Sequence, residues 1–177
     1  MRPRVALLAL CLAGCSRTQN IKEGETDYPR VNPHPINVVH LSGTVDPPIH
    51  VRSVANWSAG SKDCSYSPGI FEGASFLYHL QQSLTPIVSG VHYDLDIPVD
   101  GFLAGRCSWH FNGMTIEGAA AVVSGATPPD PPGTGPVDLY CRLSGGNYRC
   151  FAHPGEPRAA WVHAGITEIT INLHLVR

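Results

Sequence analysis

Three side chains that could support chemistry share one short segment of the sequence, VHYDLDIPVD. His92, Asp94 and Asp96 occur at positions i, i+2 and i+4, so in a β-strand they would project from one face. Imidazole and carboxylate groups can ligate a metal ion or transfer protons. His110 lies in another alternating segment, RCSWHF, and could join them if the two strands were neighbours. His92, Asp94 and His110 are therefore candidates for a hydrolase or metalloenzyme site.

The same residues also fit the solvated face of a β-strand, and the rest of the chain adds no recognisable catalytic motif. Nucleophile elbows (G-x-S-x-G), S-x-x-K and H-E-x-x-H motifs and phosphate-binding loops are all missing from the 177-residue sequence. We therefore predict a protein without a catalytic site, a bound metal or a cofactor. The formal net charge of −2 argues against nucleic acid as a partner.

The N-terminal segment carries an export signal. Arg2 and Arg4 precede nine apolar residues, 5–13, a run far shorter than the roughly 20 residues that a transmembrane helix needs. Its length and flanks are those of a secretory signal peptide. The segment closes with LAGC at residues 12–15, which resembles the lipobox of the bacterial lipoproteins.

The resemblance implies removal of residues 1–14 and acylation of Cys15, which would attach the protein to a lipid bilayer. Ser16 follows, rather than the aspartate associated with inner-membrane retention. We therefore expect the outer membrane, with the protein facing the periplasm or the cell surface. Residues 15–35 have few apolar side chains and three late prolines, so we predict a flexible tether before a single domain at 36–177.

Four cysteines remain for disulfides, the default in an oxidising compartment. In CRLSGGNYRC, Gly145 and Gly146 suit a two-residue hairpin turn. Counting outward from that turn places Cys141 opposite Cys150 at a non-hydrogen-bonded pair, where the Cα atoms are about 4.5 Å apart. Pairing of Cys64 with Cys107 follows by elimination. A zinc site is the rival interpretation, but the chain has no C-x₂-C pair.

Alternation of apolar and polar residues with a period of two dominates the domain. It predicts an all-β fold, an antiparallel two-sheet sandwich that is immunoglobulin-like in general architecture, with a barrel as the alternative. The segment 127–136, TPPDPPGTGP, is expected to be a stiff surface loop. The strand candidates are residues 37–42, 49–57, 75–84, 91–99, 106–111, 115–124, 137–143, 158–163 and 166–177.

Together these features predict a lipid-anchored binding protein that presents a disulfide-stapled domain to an envelope or periplasmic protein, as immunity proteins and enzyme inhibitors do. A hydrolase or metalloenzyme built on the 91–111 strands is one alternative. A carrier lipoprotein with an internal cavity for an apolar ligand is another. The sequence alone does not choose the face that would bind.

Overall fold

A computed structural model describes residues 21–67, 75–117, 119–124, 136–153, 160–162 and 167–176. The signal peptide, Cys15 and most of the predicted proline-rich loop lie outside these residues. In chain order the strands are β1 (Val38–Thr44), β2 (Ser53–Ser58), β3 (Ser65–Tyr66), β4 (Phe76–Leu77), β5 (His79–Leu84), β6 (Ile87–Ser89), β7 (His92–Pro98), β8 (His110–Ile116), β9 (Ala119–Ser124), β10 (Val137–Ser144), β11 (Asn147–Phe151), β12 (Ala160–Val162) and β13 (Glu168–Leu175).

Two large sheets and one small hairpin organise these strands. One sheet has six strands in the order β11-β10-β13-β1-β7-β6, and the other has five in the order β12-β9-β8-β2-β5. Strands β3 and β4 pair separately. The large sheets stay open at their edges, which confirms the predicted all-β sandwich over the barrel. No stretch of helix long and apolar enough to cross a membrane occurs in the part of the chain that is described.

The prediction of purely antiparallel pairing is wrong at three places. Strand β13 runs parallel to both of its neighbours, β1 and β10, and β12 runs parallel to β9. The alternation in the sequence fixes which face of a strand is buried but is silent on strand direction, because both pairing modes keep the period of two. The predicted strand at 106–111 also starts late, at His110, since Ser108 adopts a positive φ of 54°.

The core lies between the two large sheets, and buried apolar residues of both supply it. From the six-stranded sheet come Val39, Leu41, Tyr93, Leu95, Ile97, Val137, Leu139, Ile169, Ile171 and Leu173. The five-stranded sheet contributes Ala55, Trp57, Leu80, Phe111, Met114, Ile116, Ala121 and Val122. The Trp57 ring makes edge contacts with Phe102 and Phe111 at centroid distances of 4.9 and 5.4 Å, a favourable geometry for aromatic pairs.

A close approach of three strands fixes the centre of the six-stranded sheet. The buried Tyr93 hydroxyl donates a hydrogen bond to the carbonyl of Ile171 at 2.7 Å, and burial raises the pKa of Tyr93. Gly43 lies between them, and a Cβ atom there would stand 1.7 Å from the Ile171 carbonyl oxygen. Only glycine fits at this position.

Both predicted disulfides are confirmed. Cys64 is bonded to Cys107 and Cys141 to Cys150. The second bridge joins directly opposed residues of β10 and β11, with Cα atoms 4.0 Å apart. The hairpin turn at Gly145 and Gly146 has positive φ at both residues, as the sequence led us to expect.

The predicted flexible tether is wrong from Ile21 onward, because this segment packs on the sandwich. Ile21 is buried in the core, and its N–H donates to the carbonyl of His79. The Trp109 indole donates to the carbonyl of Asp27, and the Arg106 guanidinium pairs with the Asp27 carboxylate. Few apolar residues are needed, since the segment is held mainly by hydrogen bonds to distant loops. Residues 21–35 are therefore packed against the domain that was predicted to begin at 36.

Candidate functional site

The solvent-facing side of the six-stranded sheet holds most of the polar side chains that could form a site. Strand β7 alternates exposed His92, Asp94 and Asp96 with buried Tyr93, Leu95 and Ile97. These three polar residues therefore share the outer face, as the sequence predicted. They lie beside β1 on one side and β6 on the other.

The predicted grouping of His110 with His92 and Asp94 is wrong. His110 is the first residue of β8, which belongs to the five-stranded sheet. It is exposed there, and its Nδ1 contacts the carbonyl oxygen of Ser108 at 3.1 Å. His92 stays on the predicted face, where it pairs in register with Thr44. The candidate acid–base or metal trio is therefore not assembled.

His40 takes the place that the sequence analysis gave to His92. Its Nδ1 lies 3.0 Å from Oδ1 of Asp96, and its Nε2 lies 3.4 Å from Oδ1 of Asp94. The hydrogen bond to Asp96, with the negative charge of both carboxylates, raises the pKa of His40 above its ordinary value of 6.5. When protonated, the ring donates to Asp96 and faces Asp94 as a cation held between two anions.

This arrangement is suited to an ion-pair cluster more than to a metal centre. The carboxylates lie on opposite edges of the imidazole ring, so the three groups do not point at one position. In the described chain, one trio of potential ligand atoms does converge, formed by Asp27, Cys64 and Cys107. Those two sulfur atoms are bonded to each other, which leaves no thiolate to ligate a metal.

An open cleft of about 560 Å³ adjoins the His40 cluster. Its walls combine Asp94 and Asp96 with apolar Val38, Leu84 and Ile87. Ile87 begins the short edge strand β6, whose pairing with β7 ends at Asp94. The cleft therefore lies beside a stretch of β7 that β6 does not cover.

A second network of polar side chains crosses three strands of the same outer face. Asn172 on β13 accepts from the Thr44 hydroxyl and donates to the Asp138 carboxylate at 2.9 Å. His174 Nε2 lies 3.1 Å from the same Asp138 oxygen. The hydrogen bond from Asn172 and that from His174 hold the pKa of Asp138 below its usual range. This network ties β1, β13 and β10 together and orients the ring of His174.

Next to this network, aromatic and basic side chains form a continuous surface at the β11 edge. The Tyr140 ring lies 4.0 Å from that of His153 and 5.4 Å from that of His174. The Arg142 guanidinium carbon lies 5.8 Å from the centroid of the Phe151 ring. We call Tyr140, Arg142, Arg149, Phe151 and His153 the arginine–aromatic patch.

The two arginines of this patch are unusual neighbours. Arg142 on β10 and Arg149 on β11 are directly opposite in register, and both are exposed. Like charges at opposed positions of a β-ladder repel each other. No carboxylate pairs with either guanidinium within the part of the chain that the structure covers. Electrostatic repulsion that no neighbouring carboxylate relieves is typical of a surface that binds an anionic group.

Alternation in the sequence predicts that His40 is exposed, but it does not predict the contacts of His40 with Asp94 and Asp96. In VVHLS, His40 lies between buried Val39 and Leu41, so its exposure follows from the period of two. Its approach to Asp94 and Asp96 depends on the neighbouring position of β1 and β7 in the sheet, which the sequence does not reveal. The arginine–aromatic patch was missed for a different reason, since the hairpin register was used only to pair the cysteines.

Comparisons with known proteins found no matching family model, no similar curated protein and no similar solved structure.

Proposed function

We propose that this protein is a lipid-anchored, non-catalytic binding protein of the bacterial envelope, and that the arginine–aromatic patch receives an acidic surface of a protein partner. The anchor is the acylated Cys15, and the expected location is the outer membrane facing the periplasm. Immunity proteins and enzyme inhibitors are the functional classes that this description fits.

The opposed pair Arg142 and Arg149 is the observation that carries the proposal. Arginine and aromatic side chains are enriched at protein interfaces, where they supply much of the binding energy. Here two guanidinium groups stand together beside the half-exposed Phe151 ring, and no carboxylate among the described residues pairs with either of them. An aspartate or glutamate of a partner would remove the repulsion and form bidentate hydrogen bonds.

The scaffold supports a surface role over the two alternatives. The interior is filled by large side chains such as Trp57, Tyr93 and Leu173, which favours a binding surface over an internal cavity for an apolar ligand. A hydrolase site needs groups that converge on a substrate, and His110 lies on the other sheet from Asp94.

A capture experiment with a matched pair of charge reversals tests the proposal. The tagged, acylated protein is crosslinked mildly in bacterial cells and purified from the membrane fraction. We expect one stoichiometric envelope protein, captured by the wild type and by Arg30→Glu but lost with Arg149→Glu. Arg30 is an exposed arginine outside the patch, so it controls for the change in net charge. Equal capture by the two variants, or no stoichiometric partner, would contradict the proposal.

The anchor is tested separately with Cys15→Ser, exported behind a signal peptide of the ordinary, non-lipoprotein type so that the leader is still removed. The wild-type protein should sediment with outer membranes, and the variant should remain in the soluble periplasmic fraction. Sedimentation of both proteins would show that Cys15 is not the attachment point.

A further inference from the structure

A cluster of aromatic side chains lies where the described chain begins. Tyr66 and Phe76 are opposed in the β3–β4 hairpin, with ring centroids 5.9 Å apart, and the Tyr78 ring stacks on Tyr66 at 6.0 Å. Phe76 is 47% exposed. We call Tyr66, Phe76 and Tyr78 the anchor-side aromatic cluster.

The position of Ile21 places this cluster close to the N-terminal end of the folded unit. The N–H of Ile21 donates to the carbonyl of His79 at 3.2 Å, and the N–H of Tyr78 donates to the carbonyl of Cys64 at 3.1 Å. Phe76 is three residues from His79, a path of roughly 10 Å in an extended chain. The chain thus enters the sandwich beside the aromatic rings.

The chain between Cys15 and Ile21 is too short to hold the domain far from a bilayer. Six Cα–Cα steps span at most roughly 20 Å when fully extended. A flexible tether of 21 residues, as the sequence suggested, would let the domain turn freely, whereas this short connection keeps the Ile21 end near the lipid surface. The surface that the cluster is positioned to contact is therefore the membrane to which Cys15 is attached.

The chemistry of the cluster suits the interface between lipid and water. Tyrosine has an apolar ring and a polar hydroxyl, and aromatic residues concentrate at the headgroup level of bilayers. Exposed Lys22 and Lys62 flank the cluster, and lysine can lay its apolar stem along the surface while its charge meets phosphate groups. Exposed Glu23, Glu25 and Asp63 lie on the same part of the chain, so net positive charge does not drive the contact.

We propose that the anchor-side aromatic cluster rests on the bilayer surface and sets the orientation of the domain, with Phe76 inserted among the lipid headgroups. The cluster adjoins the start of β5, an edge strand of the five-stranded sheet, whereas the arginine–aromatic patch lies on β11, which contacts β9 three places away from β5 in that sheet. We therefore expect the patch to face away from the membrane. This inference depends on acylation of Cys15, which belongs to the proposed function.

Depth-dependent fluorescence quenching tests the orientation. The acylated full-length protein is reconstituted in phosphatidylcholine vesicles with brominated acyl chains, as the wild type and as the variants Phe76→Trp and Phe151→Trp. Phe151 is a matched control, since it is also a partly exposed phenylalanine at a sheet edge. We expect the tryptophan added at 76 to lose most of its emission in brominated vesicles, and the one added at 151 to keep it. Added salt should leave the difference unchanged.

Hydrogen exchange of the wild-type protein provides a second readout that needs no substitution in the cluster. Amides of residues 75–79 should exchange more slowly on vesicles than in the soluble Cys15→Ser protein, while those of 147–151 should not change. Flotation of the wild-type protein with vesicles is measured first, because its failure overturns the anchor and this inference together. Flotation with equal quenching at positions 76 and 151, or with unchanged exchange at 75–79, overturns only the orientation.

Discussion

Glu117 and Arg52 hold each other through both backbone and side chain. The N–H of Glu117 donates to the carbonyl of Arg52, and a carboxylate oxygen of Glu117 accepts the N–H of Arg52 at 2.7 Å. The guanidinium adds a contact of 3.1 Å to the other oxygen. Glu117 achieves this in the left-handed region, with φ of 47° and a side chain that is 1% exposed. The same arginine donates to Asn147 in the β10–β11 turn.

Loss of the carboxylate should therefore cost more than loss of the guanidinium. We expect Glu117→Ala to lower the free energy of unfolding by about 3 kcal/mol, because the N–H and the guanidinium of Arg52 lose their acceptor and the strained backbone remains. Arg52→Ala should cost about 2 kcal/mol, since the buried Glu117 carboxylate loses its counter-charge but keeps the backbone N–H of residue 52. Glu117→Gly should cost about 1 kcal/mol less than Glu117→Ala, because glycine adopts positive φ without strain.

Urea unfolding of the purified soluble domain measures these differences. Arg142→Ala is the control, an exposed arginine whose loss should change stability by no more than about 0.5 kcal/mol. Equal effects of Arg52→Ala and Arg142→Ala would show that the ion pair between Arg52 and Glu117 does not stabilise the fold.

At Gly43 even a single added methyl group should lower the stability of the fold strongly. Gly43→Ala places a methyl group against the Ile171 carbonyl, so β1 and β13 must separate or the carbonyl must rotate away from Tyr93. We expect a loss of about 3 kcal/mol or more, at the upper end for overpacking. Thermal unfolding of Gly43→Ala beside Ser42→Ala, the neighbour on the outer face, checks it. A melting temperature like that of Ser42→Ala would contradict the close approach.

The N-terminal segment should behave as part of the folded unit. Ile21→Ala removes a buried side chain and should cost about 2 kcal/mol. A protein that starts at residue 36 should be less stable still, because it also loses the hydrogen bonds that Asp27 and Arg30 accept. Proteolysis rates and urea midpoints of chains starting at residues 21 and 36 make the comparison. Identical midpoints would restore the view of 21–35 as a free tether.

The two disulfides should differ in what they contribute. Their sequence separations are 43 residues for Cys64–Cys107 and 9 for Cys141–Cys150. Chain-entropy arguments give about 4 kcal/mol for the long loop and about 2.7 kcal/mol for the short one. Paired alanine substitutions, compared by chemical unfolding, should show the larger loss for Cys64→Ala with Cys107→Ala. The reverse order would mean that native-state contacts outweigh loop closure.

His40 should titrate above its ordinary pKa of 6.5. Because folding raises this pKa, the stabilisation is complete below the unfolded-state value and is lost as pH rises through the folded-state value. Asp96→Asn should lower the pKa of His40 more than Asp94→Asn, since the hydrogen bond to Asp96 is the largest cause of the shift. Imidazole resonances followed by NMR across this range give both values. An unshifted His40, or a larger effect of Asp94→Asn, would contradict the geometry.

Local pattern predicted the parts of this fold that depend on neighbours in sequence. Alternation identified the buried faces of β7, β10 and β13, and the double-glycine turn paired Cys141 with Cys150. Strand β6 was missed because its three residues, IVS, are all exposed and show no alternation. The docking of Ile21 was missed because one apolar residue in a polar segment carries no periodic signal.

Side-chain clusters formed between distant segments could not be predicted from local sequence pattern. His40 meets Asp94 and Asp96 across 54 and 56 positions of the chain, and only the sheet order brings them together. The grouping of His110 with His92 and Asp94 depended in the same way on two strands being neighbours, and the sheet order places them in different sheets. The arginine pair, by contrast, followed from a hairpin register that the sequence already supplied.

The parallel pair of β1 and β13 has a consequence for biosynthesis. The first and last of the described strands are neighbours at the centre of the six-stranded sheet, so a growing chain cannot complete that sheet until residues 168–175 have been made. Pairings between such distant segments form slowly. We therefore expect the six-stranded sheet to assemble only once the final strand has been made, so that folding of this half of the sandwich follows synthesis.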